Sequence, residues 1–197
     1  MKTIGLDLST ACTGYAIFEN HKLIKYGQIK PKTTLTTNEK IEYIVKEFVK
    51  IFKQEDLSNS KFIIEDIFLS HFFGKSQVTG FANLGRISGA IMAGIFLELN
   101  KTASDIILRM AVSARPLVGL KGNCQKVEVQ IWTLDKFLNK DVSEYQGLVD
   151  AIIAKKLVGD IDQKTFKKRM EEVSKLIEEE TGLSEDQADA ILLGYGG

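Results

Sequence analysis

An aspartate stands inside the first apolar strand of this chain. In Lys2–Phe18, KTIGLDLSTACTGYAIF, Ile4, Leu6 and Leu8 alternate with small or polar residues. That is the period of a strand with one buried face. Asp7 interrupts the pattern. A carboxylate in a buried strand is unfavourable unless it is hydrogen-bonded, paired with a cation or bound to a metal ion. Ser9–Gly14 reads as a turn and Tyr15–Phe18 as a second strand. This stretch alone leaves two explanations open: an aspartate bonded to turn amides, or a metal ligand.

The chain has 197 residues, enough for one well-filled core, so a single domain over 1–197 is expected. Hydrophobic residues make up 44% and charged residues 26%, which places it among globular proteins. No basic-then-apolar leader opens the sequence, so no signal peptide is expected. The longest uninterrupted apolar run, Ala90–Leu97, is too short to span a bilayer, and no membrane partner is expected. Cys12 and Cys124 are too few and too far apart for a zinc cluster and are expected to stay reduced in a cytoplasmic protein. Net charge is zero, but it is unevenly spread: Lys101, Arg109, Arg115, Lys121 and Lys126 face only Asp105 between 101 and 126. Residues 178–189 hold six acids and no cation. A basic surface beside an acidic pocket suits an enzyme that holds phosphates with metal ions, and scattered solvated charge is the alternative.

Along the chain, Leu23–Ile29 can pair as a third strand after a turn at Glu19–His21. Thr36 and Glu39 form a capping box for a helix whose apolar positions are Ile41, Ile44, Val45, Phe48 and Phe52. Lys61–Ile67, KFIIEDI, reads as a short buried strand ending in Glu65 and Asp66. His71–Gly80 reads as a loop in which Phe72, Phe73 and Lys75 either pack back or meet a ligand. In the next helix Gly85, Gly89 and Ala93 form a small-residue stripe that permits close approach to a sheet or helix. Ile106–Val112 reads as a fifth strand, followed by loops at Arg115–Pro116 and Lys121–Asn123. Helices are expected over Val127–Leu138, over Tyr145–Leu157, and from Phe166 to a stop at Gly182. Ser184 and Gln187 cap a last helix that carries Asp186 and Asp189, three apart and on one face. Asp186 is also an ordinary first-turn acid. Asp189 sits among Ala188, Ala190, Ile191 and Leu192, where such an explanation does not reach.

A strand acid, a strand-end acid and a helix pair can meet at one edge of a sheet. Magnesium takes oxygen ligands in near-octahedral geometry. Two such ions, roughly 3.5–4 Å apart, can clamp the attacking and leaving oxygens of a phosphodiester. Asp7, Glu65, Asp186 and Asp189 supply the carboxylates for that chemistry.

In these motifs the chain resembles the RuvC-type Holliday-junction resolvases of the RNase H-like superfamily. IGLDLSTACTGYAIF looks like the family's first strand, FIIEDIF like its second acidic motif, LGRISGAI like the helix that follows and DQADAILL like its terminal D-x-x-D. The resemblance implies an α/β fold with a mixed five-stranded sheet flanked by helices. It implies Asp7, Glu65, Asp186 and Asp189 as catalytic metal ligands for Mg²⁺, with Mn²⁺ able to substitute. Lys126, in CQKVEVQ, matches the family's basic residue. Phe68 matches an aromatic DNA contact, with a core position as the alternative. Arg115 lies near another basic position, and Lys75 completes the expected DNA-binding set. The implied partners are branched DNA and a second copy of the chain. The sequence departs from the family at about 140–183, where two Lys/Glu-rich helices intervene before the last helix. They are expected to form a hairpin packed through Phe166, Met170, Val173 and Ile177. Such an addition fits a phage or mobile-element variant.

Two other readings stay open on the sequence. A sugar-kinase or actin-like ATPase also opens with a strand, an Asp and a phosphate-contacting turn, but needs a second half that this length scarcely allows. A non-catalytic junction binder could share the fold, although four intact acids argue against it.

Overall fold

The structure, a computed structural model, describes residues 1–66 and 75–195, leaving out the side chains of 75–77. Phe68 and the aromatic segment at 71–73 lie outside the described residues, and so does the side chain of Lys75. The strands are β1 Lys2–Asp7, β2 Thr13–Glu19, β3 Lys22–Ile29, β4 Ser60–Glu65 and β5 Ile106–Arg109. The helices are α1 Thr37–Phe52, α2 Lys75–Glu98, α3 Ala111–Leu117, α4 Lys126–Leu138, α5 Ser143–Leu157, α6 Gln163–Thr181 and α7 Glu185–Tyr195.

Among the described residues the strands form one sheet in the order β3-β2-β1-β4-β5. The first three are an antiparallel meander, and β4 and β5 join in parallel. Asn20 and His21 make the β2–β3 turn at φ 49° and 63°, the left-handed pair that a two-residue hairpin requires. Alternation along β1 and β4 sends side chains to two separate cores. On one face Ile4, Leu6, Phe62 and Ile64 pack with Ile44, Phe48 and Phe52 of α1 and Ile87, Ile91 and Ile95 of α2. On the other, Ala16, Phe18 and Ile63 pack under α4 to α7. This mixed five-stranded sheet between helical layers is the α/β fold that the motifs implied.

Three local expectations are corrected. The expected loop to Gly80 gives way to helix from Lys75. No proline interrupts this stretch, and one exposed glycine costs a helix only about 1 kcal/mol. The fifth strand ends at Arg109 rather than Val112, because its ladder partner β4 ends at Glu65. The chain then turns at once, with Ser113 and Ala114 donating to the Met110 carbonyl, and Arg115–Pro116 lies in α3 instead of a loop. Among the described residues nothing packs on the small-residue stripe of α2: a Cβ on Gly85 or Gly89 would meet nothing within 4 Å, which leaves the stripe open to another helix. Gly94 faces Val45 and Val49 of α1 instead. Residues Val78–Glu98 are long and apolar enough to cross a membrane by length and composition. Their Ile87, Ile91 and Ile95 are fully buried against the sheet and α1, while the opposite face is exposed.

Between α4 and α7, α5 and α6 form a hairpin. Tyr145, Val149 and Ile152 of α5 and Met170, Val173 and Ile177 of α6 are buried, and Phe166 is partly buried against the same core. Gly182 closes α6 at φ 75°. Ser184 then caps α7: its hydroxyl accepts from Gln187 N, while Ser184 N donates to the Gln187 side chain.

Candidate active site

Strand register builds the site. Asp7 pairs with Gly14, Gly14 with Gln28, and Glu65 with Arg109. The β1–β4 register runs to Leu6 beside Ile64, so Asp7 and Glu65 follow side by side at the strand ends. One row thus crosses the sheet as Gln28, Gly14, Asp7, Glu65, Arg109, and period-2 alternation turns it toward α7. α7 lies directly on that row because two glycines leave room. A Cβ on Gly5 would sit 2.0 Å from the Ala190 carbonyl oxygen, and one on Gly14 would sit 2.0 Å from that of Asp186.

This packing brings Asp7, Glu65 and Asp189 into one electrostatic group. Burial raises the Asp7 carboxyl well above its ordinary range, and the charges of Asp189 and Glu65 and a hydrogen bond with Glu65 add to the rise. Asp189 is pushed up to about 6, chiefly by burial; Lys126 and Arg115 oppose the rise and Glu65 adds to it. Lys126 Nζ lies 3.4 Å from Asp189 Oδ2 and 3.7 Å from Glu185 Oε2. Burial disfavours its ammonium, but Asp189, Asp7, Glu185 and Asp186 outweigh that and hold it charged. The other oxygen of Asp189, Oδ1, is buried without a hydrogen-bond partner among the described residues. Buried carboxylate oxygens are rarely left so, and each such group calls for a donor or a cation.

Asp186 is half-buried and faces a neighbouring cleft of about 350 Å³. Cys12, Gln28, Lys30 and Ser184 line that cleft from one side, and Glu171, Ser174, Lys175 and Glu178 of α6 from the other. Burial and a hydrogen bond to Asp186 push the Cys12 thiol up to about 12. Cys12 and Lys126 each feel the charges of both Asp186 and Asp7, which links Asp186 to the Asp7 group. Among the described residues, no three His, Cys, Asp or Glu side chains are grouped so as to hold a metal ion as they stand. The donor set still fits a hard cation. It offers carboxylate oxygens from two strands and one helix, and one of them is a buried orphan.

Arg115 points into the fold. Its guanidinium donates to the carbonyls of Gly122, at 3.1 Å, and Cys124, at 2.9 Å, and so fixes the loop that leads to Lys126. The motifs had not singled out Glu185, Gln28 or the two glycines. Ser174 Oγ donates to Glu185 at 2.7 Å, which leaves the other Glu185 oxygen toward Lys126. Gln28 Oε1 accepts from Cys12 Sγ at 3.2 Å and from Ser184 Oγ at 3.3 Å, tying the first turn to the cap of α7. A glycine inside the first strand pattern was the visible signal for Gly5; Gly14 read as the end of a turn, and its place in β2, like the other roles, depends on register and capping.

No protein-family model and no curated protein matches the chain. Solved structures do. A Thermus thermophilus RuvC structure is similar with a TM-score of 0.59 at 11% identity, over 100% of this chain and 92% of that one. T. thermophilus RuvC in complex with a Holliday junction substrate is similar with a TM-score of 0.57 at 13% identity, over 100% and 91%. At such identity the likeness speaks for the fold. The chain has a RuvC-like fold.

Proposed function

We propose that this protein is a metal-dependent, structure-selective endonuclease that nicks branched DNA such as Holliday junctions by hydrolysing a phosphodiester. The observation that carries this reading is the meeting of Asp7, Glu65 and Asp189 at one sheet edge, with a buried carboxylate oxygen left unpartnered. Asp7, Glu65, Asp189 and Asp186 would hold Mg²⁺, or Mn²⁺ in its place. Bound there, the ions would polarise the scissile phosphate and make water a stronger nucleophile. The chain's own contribution is placement and charge. The glycines at 5 and 14 set α7 against the strand acids. Lys126, braced by Glu185, supplies a fixed cation for the negative charge that builds on the phosphate. Arg115 holds the loop from which Lys126 projects. Phe68 and Lys75 remain proposed DNA contacts. We further propose one domain over 1–197 in a cytoplasmic protein.

A four-way junction is two-fold symmetric and needs paired nicks, so a homodimer matches it. The exposed face of α2, with Val78, Gly85, Gly89, Ala93 and Leu97, is the proposed contact. Gly89→Leu should leave the monomer folded and shift sedimentation toward it.

The deciding assay offers four-way, three-way and linear DNA to the protein with Mg²⁺, Mn²⁺ or EDTA. Metal-dependent nicking of branched DNA is expected, lost in Asp7→Asn, Glu65→Gln and Asp189→Asn with junction binding retained. Binding without cleavage by the wild type would leave a non-catalytic junction binder instead.

A further inference from the structure

The α5–α6 hairpin has a packed root and a bare tip. Ile152 is the last buried residue of α5 and Met170 the first of α6. Between them no residue is buried. At 1.5 Å per helical residue the tip stands roughly 7–10 Å beyond the packed body. Partly buried Ile153, Ile161 and Phe166 hold it together from within.

The charge of α6 is not arranged for helix stability, whereas Lys155 and Lys156 suit the C-terminal end of α5. Residues 155–169 carry six cations and two acids in a chain of zero net charge. Of the acids, Asp162 is committed to capping α6, where it accepts from Thr165 N. Four of the cations, Lys164, Lys167, Lys168 and Arg169, crowd the first turns of α6, while its last turn holds Glu178, Glu179 and Glu180. Both ends oppose the helix dipole, which favours acids at the N-terminus and bases at the C-terminus. The ion pair of Lys168 with Glu172, at 3.8 Å and largely exposed, compensates little. Rule-breaking of this kind concentrates where sequence serves binding. At the tip between the helices, Leu157 is 81% and Val158 72% exposed, flanked by Lys155 and Lys156. Cations around a protruding aliphatic pair fit a duplex, with phosphates for the lysines and an apolar groove wall or base step for the wedge.

One face of α6 leads to the cleft beside the candidate site. Lys164, Lys168 and Lys175 lie within about 40° of one another around the helix, from a turn of 100° per residue. Lys175 lines the cleft that Asp186 faces. We infer that the α5–α6 hairpin is a DNA-binding arm: its basic tip grips the phosphates of a duplex arm that leaves the candidate site past the neighbouring cleft and along α6. This rests on the nuclease reading for its substrate, but it makes a separate claim.

The test is fluorescence anisotropy of the full chain with a labelled four-way junction in Ca²⁺, over a salt series from roughly 50 to 300 mM, where each phosphate contact adds about 0.9 to the log–log slope. The triple variant Lys164→Gln/Lys167→Gln/Lys168→Gln should bind at least tenfold more weakly and lose about 2–3 from the slope. The charge-matched triple Lys46→Gln/Lys50→Gln/Lys53→Gln, on the opposite helical layer, should lose less than one. Equal slopes for the two triples overturn the arm while leaving the nuclease reading intact. No junction binding by the wild type overturns both. Loss of phosphatidylserine-vesicle binding in the tip triple, with DNA binding unchanged, would make the tip a membrane surface and also overturn the arm.

Discussion

At the scale of single residues the site is a set of carboxyls held where charge is unfavourable. For Asp189 the folded carboxyl titrates near 6 against an ordinary 3.8. An acid whose folded pKa is raised binds more protons folded than unfolded between those values, so stability falls as pH rises through that window. Below about pH 4 the penalty is absent, and above about pH 6 it is complete, on the order of 3 kcal/mol at most. Asp7 pushes the same way. The capping and turn acids Glu39, Asp56, Asp105, Asp141 and Asp162 push the opposite way, because their hydrogen bonds lower their pKa values. Comparing variants removes that background. In EDTA, Asp189→Asn should gain melting temperature over wild type at pH 7 and lose the advantage near pH 4; parallel curves would contradict the burial of its charge. Lys126→Met should enlarge the penalty of Asp189, because it removes the cation that opposes it. These acids were legible because each breaks an apolar pattern. Glu185 was not, since an acid in a first helical turn needs no further explanation until Lys126 is seen beside it.

At the scale of elements, the approach of α7 to β1 and β2 depends on two absent side chains. Gly5→Ala and Gly14→Ala each place a Cβ 2.0 Å from a backbone oxygen, which cannot rotate away. Overpacking typically costs about 1–3 kcal/mol, and a backbone clash belongs at the upper end. Within one chain, Gly85→Ala and Gly89→Ala on α2 meet nothing among the described residues and sit on an exposed helix face, so each should raise the stability of the monomer by about 0.5–1 kcal/mol. Denaturant melts of the four variants check the contrast, and a destabilised Gly89→Ala would point to packing against another molecule. The sequence made most elements readable, because apolar period and capping boxes agree at α1 and α7. It misplaced the end of β5 because a strand ends where its neighbour ends, and Glu65 is about forty residues away. The stripe of Gly85 and Gly89 permitted a close approach without saying to what, because a small-residue stripe looks the same whether it meets its own chain, a partner or solvent.

At the scale of the molecule, two cores fill the two faces of one sheet, and the acids gather at the sheet's edge between α4 and α7. Both cores can be complete while the edge stays electrostatically unfavourable. Two unit charges roughly 4 Å apart interact by about 4 kcal/mol at an effective dielectric of ~20, and protonation and Lys126 relieve part of that. A divalent cation would relieve the rest. It should therefore stabilise the whole fold, by about 2.7 kcal/mol at ~100 times its Kd. For a chain of this size that is a rise of roughly 5–10 °C in Tm. Asp7→Asn should raise the Tm in EDTA slightly, because a buried charge is gone, and should blunt the response to Mg²⁺ or Mn²⁺. The triple variant at Lys164, Lys167 and Lys168 should keep the full metal response, since the hairpin tip lies outside the acidic group. Surface or capping acids with no common ligand would produce neither the rise nor its loss. Melting curves of wild type and Asp7→Asn in EDTA and in metal separate these cases without any DNA. An equal metal shift in the two proteins would remove Asp7 from the ligand set, and with it the reason for an aspartate in the first buried strand.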